Sequence, residues 1–327
     1  MELVTKKTLR LYSGSVHPAL AQEIAHHLDM ELGEPNIRRF SNGETHCRFD
    51  ESVRGADVFI IQTHHAVDGA SVNDAIFEQL CMIDAAKRGS AKRITAVCPY
   101  YGYSRQDRKA EGREPIAAKL VADLMTAAGV SRMVSVDLHS GQIQGFFDKP
   151  VDHLVAMPVL LDYIRKECGD DVVIVSPDAG RVKVAERYSQ ALTADLAFVH
   201  KRHVKGKANA VEARGVIGEV EGRCCVLIDD MIDTAGTIVA AADILTDHGA
   251  TEVWAMATHG LLSGPAVERI ASSKIARTVV TNTVPLPQEK QLPSIEQLSV
   301  ARIIADAIDA VFEDTSVSEI FGGENQA

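Results

Sequence analysis

Short apolar runs alternate with longer amphipathic stretches along the whole chain. Runs such as "RITAVC" (93–98) and "DVVIVS" (171–176) are rich in β-branched residues and have the length of buried strands. Stretches such as "VNDAIFEQLCMIDAAKR" (72–88) and "TIVAAADILTDHG" (237–249) repeat apolar residues at helical spacing. Because such strands alternate with helices, the pattern predicts an α/β architecture with largely parallel, doubly wound sheets.

A weak internal repeat divides this pattern into two halves. Segments that begin at residues 126 and 246 each contain a helix end, a glycine, a strand and a closing histidine, which is His139 or His259. We therefore expect two similar domains, which we place at residues 8–155 and 156–321. The first half carries a longer polar loop, "YGYSRQDRKAEGREP" (101–115), which predicts a lid at the end of one strand.

Composition restricts the classes of function. The 327 residues are 46% hydrophobic and 24% charged, and no apolar run is long enough to span a membrane. A net charge of -11 argues against general nucleic-acid binding, which needs a basic face. Six cysteines without CxxC spacing and the lack of a signal-peptide pattern lead us to expect a cytoplasmic protein with reduced thiols.

The clearest candidate chemistry lies in "VLIDDMIDTAGT" (226–237). Asp229 and Asp230 follow an apolar strand, at the sheet edge where open α/β sheets bind ligands. The turn that follows enters a helix, so its amides and the positive end of the helix dipole suit a phosphate. Carboxylates repel phosphate, so we expect the two acids to bind ribose hydroxyls instead. The alternative is a solvated acidic turn in which Asp233 or Thr234 caps the helix.

This segment resembles the phosphoribosyl-pyrophosphate loop of the type I phosphoribosyltransferase fold. Four more stretches, at 38–55, 99–120, 136–154 and 175–187, are similar to those of the ribose-phosphate pyrophosphokinase family. The resemblance extends from about residue 8 to "SVSEIF" (316–321). It implies two domains of that fold and transfer of the β,γ-diphosphate of ATP to the C1 hydroxyl of ribose 5-phosphate, which releases AMP.

The resemblance also assigns roles to residues. Arg105 and Gln106 in the lid, with His139, would contact ATP, and His139 and Asp178 would hold Mg²⁺. A second group of residues would bind the adenine of an ATP held by a neighbouring subunit. These residues are Phe40, Asn42, Gly43 and Glu44. The local alternative for these four is a hairpin turn, because Asn-Gly is a leading turn dipeptide. Ribose 5-phosphate would be bound by Asp229, Asp230, Asp233, Thr234, Ala235, Gly236 and Thr237.

The family's catalytic lysine corresponds to Lys201, on a predicted second mobile loop. The family's K-x-R pattern becomes Lys201-Arg202-His203 here, so the contribution of His203 to substrate binding is open. No Walker-type phosphate loop occurs in the chain, so Lys201, Arg105 and Mg²⁺ would supply the positive charge for the transferring group.

The phosphate-activated class of the family implies regulation and assembly. Phosphate and ADP would act as effectors at a site between subunits. The resemblance also implies that the protein is a homo-oligomer, and we expect a hexamer. The corresponding positions are Ser52, Arg54, Ser90, Ser316, Ser318 and Phe321.

Two other functions compete with an active synthetase. A phosphoribosyltransferase would share the 229–237 loop but would have no use for "FSNGE" and "RQDRK". A non-catalytic regulatory partner would be expected to lose catalytic side chains, whereas Lys201, Arg105, His139 and Asp178 are all present.

Overall fold

A computed structural model describes residues 7–67, 69–169, 171–202 and 213–321. The strands are β1 (Leu9–Ser13), β2 (Pro35–Arg39), β3 (Thr45–Phe49), β4 (Asp57–Ile61), β5 (Arg93–Cys98), β6 (Arg132–Val136), β7 (Val151–Leu154), β8 (Val172–Ser176), β9 (Asp195–Arg202), β10 (Ala213–Ile217), β11 (Cys224–Ile232), β12 (Glu252–Gly260), β13 (Arg277–Thr281) and β14 (Ile295–Leu298). The helices are α1 (Pro18–His27), α2 (Val72–Arg88), α3 (Ala117–Ala128), α4 (Met157–Glu167), α5 (Val182–Leu192), α6 (Gly236–Asp247), α7 (Ala266–Ala271) and α8 (Ala301–Phe312).

Local sequence signals set several of these boundaries. α2 begins with a capping box, in which the Ser71 hydroxyl accepts from the Asp74 amide while the Asp74 carboxylate accepts from the Ser71 amide. α3 ends at Gly129 and α6 is followed by Gly249, both at positive φ (124° and 89°), which glycine adopts at low cost. The glycines of the internal repeat therefore end helices, as predicted.

The chain divides into two compact units. The first comprises the described residues of 1–155, 283–285 and 300–327, and the second comprises those of 156–282 and 286–299. α8 thus belongs to the first unit, whereas the sequence boundary of 156–321 placed it with the second. The reason lies in packing, because α8 buries its apolar side and contacts α1.

The first unit contains a five-stranded parallel sheet in the order β1-β4-β5-β6-β7 and a separate β2–β3 hairpin. All five residues of β4 are buried, so both faces of the sheet are covered. On one face, strand residues such as Ile60 and Ala96 form a core with α2 and α3.

The second unit contains a seven-stranded sheet in the order β10-β9-β8-β11-β12-β13-β14, in which only the β9–β10 pair is antiparallel. Neighbouring residues of β11 face opposite sides: Leu227 packs with α6, while Val226 and Ile228 pack with α4 and α5. Helices therefore cover both faces, and the α/β, doubly wound prediction is confirmed. Within the described residues, no helix is long and apolar enough to cross a membrane.

Candidate functional site

The strand order of the second unit reverses between β8 and β11. The chain proceeds from β8 to β9 on one side and from β11 to β12 on the other. Parallel sheets of this kind bind ligands at the carboxyl ends of the strands that flank such a reversal. The β8–β11 ladder ends at Leu227, whereas the β11–β12 ladder continues to Ile232. The predicted acids at 229 and 230 therefore lie within the last part of β11, past its pairing with β8.

Arg181 joins these two acids. Its guanidinium lies 3.3 Å from a carboxylate oxygen of Asp229 and 2.7 Å from one of Asp230. The Asp230 amide donates to the Asp229 carboxylate over 2.8 Å. Burial, and secondarily the neighbouring Asp230, raise the pKa of Asp229 to about 8 against the opposing effect of Arg181. The sequence reasoning missed Arg181, although it follows Asp178 closely in "PDAGR".

Asp178 begins the turn that carries Arg181. Its carboxylate accepts from the Gly180 amide over 2.7 Å, while its own carbonyl accepts from the Ser176 hydroxyl over 2.6 Å. The residue is exposed just beyond β8. The carboxylate is therefore held by the backbone and faces solvent at the carboxyl edge of the sheet.

The turn before α6 has the form expected of a phosphate site. Ala235 occupies the N-cap position in a left-handed conformation (φ 58°), and no side chain caps the helix. Neither Asp233 nor Thr234 therefore occupies the N-cap position that the alternative interpretation gave them. A left-handed conformation is costly for a residue with a Cβ and is typical of functional turns.

Two further features surround this turn. Arg269 donates from its guanidinium to the Thr234 carbonyl over 2.8 Å, a cation that the sequence reasoning also missed. A cleft of about 650 Å³ lies between the Asp178 turn and the start of α6. Its lining residues are Pro177, Asp178, Ala179, Gly180, Val199, His200, Gly236, Thr237, Ala240, Ala241 and Ile244.

Lys201 lies in β9, not in a loop. Its backbone pairs with Arg214 of β10, which extends the strand to Arg202. The predicted loop therefore does not begin before residue 203, because antiparallel pairing continues to Arg202. β9 is the parallel neighbour of β8, so Lys201 reaches the same carboxyl edge as Asp178. His203 lies outside the described residues.

In the first unit, the predicted ATP residues follow two neighbouring strands. Exposed Arg105 and Gln106 lie in the loop after β5, and half-buried His139 follows β6. The Gln106 amide donates to the Tyr103 carbonyl over 2.8 Å, and its carbonyl accepts from the Ala118 amide over 3.2 Å. The fold thus brings these three residues to one edge of the first sheet. The repeat partner of His139, His259, is buried within β12, as expected for a structural histidine.

A buried histidine anchors the lid loop. Nδ1 of His64 accepts from the Gly102 amide over 3.0 Å, and Nε2 lies 2.8 Å from Oε1 of Gln79. Burial lowers the pKa of His64 to about 4, so the ring is neutral near pH 7. A side chain at Gly102 would meet the His64 Cβ at 2.8 Å. Glycine is therefore required where the loop leaves the sheet.

The segment proposed to grip adenine forms the end of the β2–β3 hairpin. The Phe40 amide donates to the Glu44 carbonyl and the Gly43 amide to the Phe40 carbonyl, each over 2.8 Å. Gly43 has φ 91°, and the Asn42 side chain accepts from the Glu44 amide. The segment therefore forms the turn that the Asn-Gly dipeptide predicts, and its contact with adenine stays a prediction. Phe40 remains 47% exposed, with the Arg38 guanidinium 5.6 Å from its ring centre.

The candidate effector residues lie at the other end of the first sheet, before β4 and β5. The Gly55 amide donates to the Ser90 carbonyl over 2.8 Å, which joins the Ser52–Arg54 loop to the Ser90 turn. Nearby, Arg93 at the start of β5 binds Asp57 and lies 2.5 Å from Asp314.

The last candidate effector residues follow Asp314. The hydroxyls of Ser316 and Ser318 lie 2.8 Å apart. Phe321 ends a short 3-10 helix. All three residues follow Asp314, the partner of Arg93, within seven positions of the sequence.

No cluster of three or more His, Cys, Asp or Glu side chains is placed to hold a metal, as far as the described residues extend. Mg²⁺ characteristically binds one or two carboxylates together with substrate phosphates and water. A preformed cluster is therefore not required for the predicted ion, and the oxygen donor of Asp178 suits it.

Comparisons with known proteins agree over the whole chain. Residues 9–129 match a family model described as the N-terminal domain of ribose phosphate pyrophosphokinase, and residues 213–322 match a phosphoribosyl synthetase-associated domain. A ribose-phosphate pyrophosphokinase of Bifidobacterium longum is 54% identical, with 96% of this chain and 93% of the relative covered. A ribose-phosphate pyrophosphokinase of Mycobacterium tuberculosis is 50% identical, with 98% of this chain and 97% of the relative covered. The crystal structure of phosphoribosylpyrophosphate synthetase from Mycobacterium smegmatis is 50% identical, covers 94% of this chain and 100% of its own, and aligns with a TM-score of 0.88.

Proposed function

This chain belongs to the ribose-phosphate pyrophosphokinase family, and from that premise we propose how its residues divide the work of the reaction. The enzyme transfers the β,γ-diphosphate of ATP to the C1 hydroxyl of ribose 5-phosphate, giving 5-phosphoribosyl 1-diphosphate and AMP. The C1 oxygen attacks the β-phosphorus, the bond to AMP breaks, and the hydroxyl loses its proton. The protein contributes positioning and positive charge to this transfer.

The 5-phosphate of ribose 5-phosphate is proposed to bind at the turn before α6. The first amides of α6, together with the helix dipole, favour an anion there. Thr234 and Thr237 offer hydroxyl donors, Gly236 keeps side-chain bulk away, and Arg269 holds the Thr234 carbonyl. Asp233 shapes the turn through its carbonyl, which accepts from the Ser263 amide over 2.8 Å.

Asp229 and Asp230 are proposed to bind the ribose hydroxyls. Both carboxylates lie past the pairing with β8 and already have a charged partner in Arg181. The guanidinium keeps them in position and offsets part of the cost of burying them together. This arrangement at the strand-order reversal is the observation that carries the assignment.

Mg²⁺ is proposed to be held by Asp178 and by the phosphates of ATP, with His139 in contact with either the ion or a phosphate. When bound, the ion neutralises charge on the diphosphate during transfer. Asp178 supplies an oxygen donor that the Gly180 amide orients. Imidazole is a poorer partner for so hard a cation, which favours a phosphate contact for His139.

ATP is proposed to be bound by residues of the first unit. Arg105 matches phosphate geometry and Gln106 supplies amide hydrogen bonds, both from the loop anchored by His64. The exposed hairpin end, with Phe40, Asn42, Gly43 and Glu44, would stack on and bind adenine in a neighbouring subunit. That arrangement requires a homo-oligomer, and we propose a hexamer.

Lys201 is proposed as the catalytic residue that stabilises the transferring diphosphate. Its position at the carboxyl end of β9, beside β8, supports this role. His203 would add a weaker contact to ribose 5-phosphate at the position where the family has arginine.

Phosphate and ADP are proposed to regulate the enzyme at the amino-terminal edge of the first sheet. Ser52, Arg54 and Ser90 lie in adjoining turns there, and hydroxyls around a guanidinium suit an anion. The site would be completed by Ser316, Ser318 and Phe321. We also propose a cytoplasmic location, where reduced thiols persist, since the six cysteines are free.

One experiment tests the assignment. Purified protein with Mg²⁺, ribose 5-phosphate and ATP labelled at the β-phosphorus should transfer the label to the sugar and release AMP. Label that stays in ADP would indicate an ordinary kinase. Absence of turnover unless a second synthetase is added would favour a regulatory partner, and a requirement for a nucleobase would favour a phosphoribosyltransferase.

A further inference from the structure

Two of the six cysteines meet in the second unit. Sγ of Cys168 lies 3.3 Å from Sγ of Cys224, although 56 positions separate them in sequence. Cys168 caps the carboxyl end of α4, and Cys224 is the first residue of β11. Both residues are half-buried.

The backbone holds this pair in place. The Cys168 amide donates to the Ile164 carbonyl over 2.9 Å, and Cys224 is in register with Val172 of β8. Arg223, which precedes Cys224, lies 2.5 Å from Asp171, which follows Cys168. This ion pair therefore joins the two chain segments next to the thiols. A disulfide bond of about 2.05 Å needs the sulfurs to approach by only ~1.3 Å, which side-chain rotation and a small backbone shift can supply.

We propose that Cys168 and Cys224 form a redox-active pair that hydrogen peroxide converts to an intramolecular disulfide. The Cys168 thiolate attacks one peroxide oxygen, the O–O bond breaks, and hydroxide leaves, which gives a sulfenic acid at Cys168. The Cys224 sulfur then attacks the Cys168 sulfur and displaces water as the disulfide forms. Peroxide accepts two electrons from the pair, and a small-molecule thiol returns them.

The surroundings distinguish the two roles. A hydrogen bond from Cys224 lowers the pKa of Cys168, with a smaller contribution from the Arg277 guanidinium, whereas the same bond and burial raise the pKa of Cys224. The lowered pKa favours Cys168 as the nucleophile of the pair. Burial raises the pKa of Cys47 and Cys98 to about 12, which makes those thiols poor competitors.

Cys225 provides a matched control. It adjoins Cys224 in β11 but faces the opposite side of the sheet, where it packs with α6. Cys168 and Cys224 instead pack with the cluster formed by α4 and α5. A Cys225 variant therefore tests whether the reaction depends on the place of Cys224 in the fold and not only on its place in the sequence.

The disulfide would close a loop that contains Asp178, Arg181 and Lys201. The disulfide would lie at the amino end of β11, whereas Asp229 and Asp230 lie near its carboxyl end. Cross-linking should therefore stabilise the second unit by restricting its unfolded chain. A higher thermal midpoint in the oxidised protein, reversed by dithiothreitol, is the expected sign.

The test treats the full-length protein with hydrogen peroxide and measures intact mass. Wild type should lose two hydrogens, and a non-reducing digest should join the peptides that contain Cys168 and Cys224. Cys225→Ser should behave the same, whereas Cys168→Ser and Cys224→Ser should each abolish the cross-link. In Cys224→Ser, dimedone should label Cys168.

Three results would overturn the proposal. These are oxygen addition at Cys168 of wild type without a cross-link, a disulfide that joins other cysteines or other chains, and a cross-link that survives in Cys168→Ser. The peptide map of wild type decides the matter even if a serine variant folds poorly.

Discussion

The guanidinium of Arg181, in the turn after β8, lies 2.7 Å from the carboxylate of Asp230 in β11. The pair is mostly buried, with 18% of the Arg181 side chain and 10% of the Asp230 side chain exposed. Because the same guanidinium also reaches Asp229, one cation serves both acids that we assign to the ribose hydroxyls.

Arg181→Gln should lower the free energy of unfolding by about 1–3 kcal/mol, because it removes the cation from beside the largely buried side chains of Asp229 and Asp230. The KM for ribose 5-phosphate should rise roughly tenfold as the acids lose their positions. Thermal unfolding and steady-state kinetics measure the two effects. Lys274→Gln is the control, because it removes an exposed ion pair with Asp247 and should cost less than about 0.5 kcal/mol. Equal effects of the two substitutions would contradict the role of Arg181.

Asp229 should make stability depend on pH. Its pKa is about 8 in the folded protein against an ordinary value of 3.8, so the folded state binds the proton more tightly. This contribution to stability is complete below the ordinary value and is lost as pH rises to about 8. Asp229→Asn cannot titrate, so its stability relative to wild type should increase by roughly 2–4 kcal/mol from pH ~5 to pH ~9. Denaturant titrations across that range measure the difference, and parallel curves for the two proteins would contradict the shift.

Lys201→Ala should lower kcat by at least ~100-fold with a smaller change in KM, because charge on the transferring group develops as the bond to AMP loosens. Initial rates at varied ATP and ribose 5-phosphate separate the two constants. Lys183→Ala, which removes an exposed lysine from α5, should leave both nearly unchanged. An effect of Lys201→Ala on KM alone would move the residue from catalysis to binding.

Gly102→Ala should destabilise the lid loop, because its Cβ would lie 2.8 Å from that of His64. We expect a loss of about 1–3 kcal/mol in unfolding free energy and a raised KM for ATP, since the hydrogen bond that anchors the loop is strained. Gly112→Ala tests the same loop at a position where an added Cβ meets nothing within 4 Å. The second substitution should leave stability and the KM for ATP unchanged, and matching losses would show that the anchor at His64 is irrelevant.

Arg54→Ala should abolish activation by phosphate and the part of ADP inhibition that exceeds competition with ATP, because the guanidinium is the proposed anion ligand. Rates measured over a grid of phosphate, ADP and ATP concentrations test both responses. Arg302→Ala removes an exposed arginine of α8 in the same unit and should keep both. If ADP inhibition of wild type is purely competitive at every phosphate concentration, the regulatory proposal is wrong.

Sequence alone determined the α/β architecture, because helical and strand periodicities and glycine stops such as Gly129 and Gly249 act locally. It also identified the acids at 229–230 and the turn at 233–237, whose residue types and order carry their chemistry. The family resemblance placed Lys201 on a mobile loop, whereas pairing with β10 extends β9 to Arg202.

Only the tertiary structure decided which distant residues meet. Arg181 contacts Asp229 and Asp230, and His64 accepts from Gly102, because parallel strands that are remote in sequence become neighbours in a sheet. The same holds for α8, which packs with α1 in the first unit despite its place at the end of the chain. Periodicity fixes which face of an element is apolar, whereas the partner of that face depends on the packing of the whole chain.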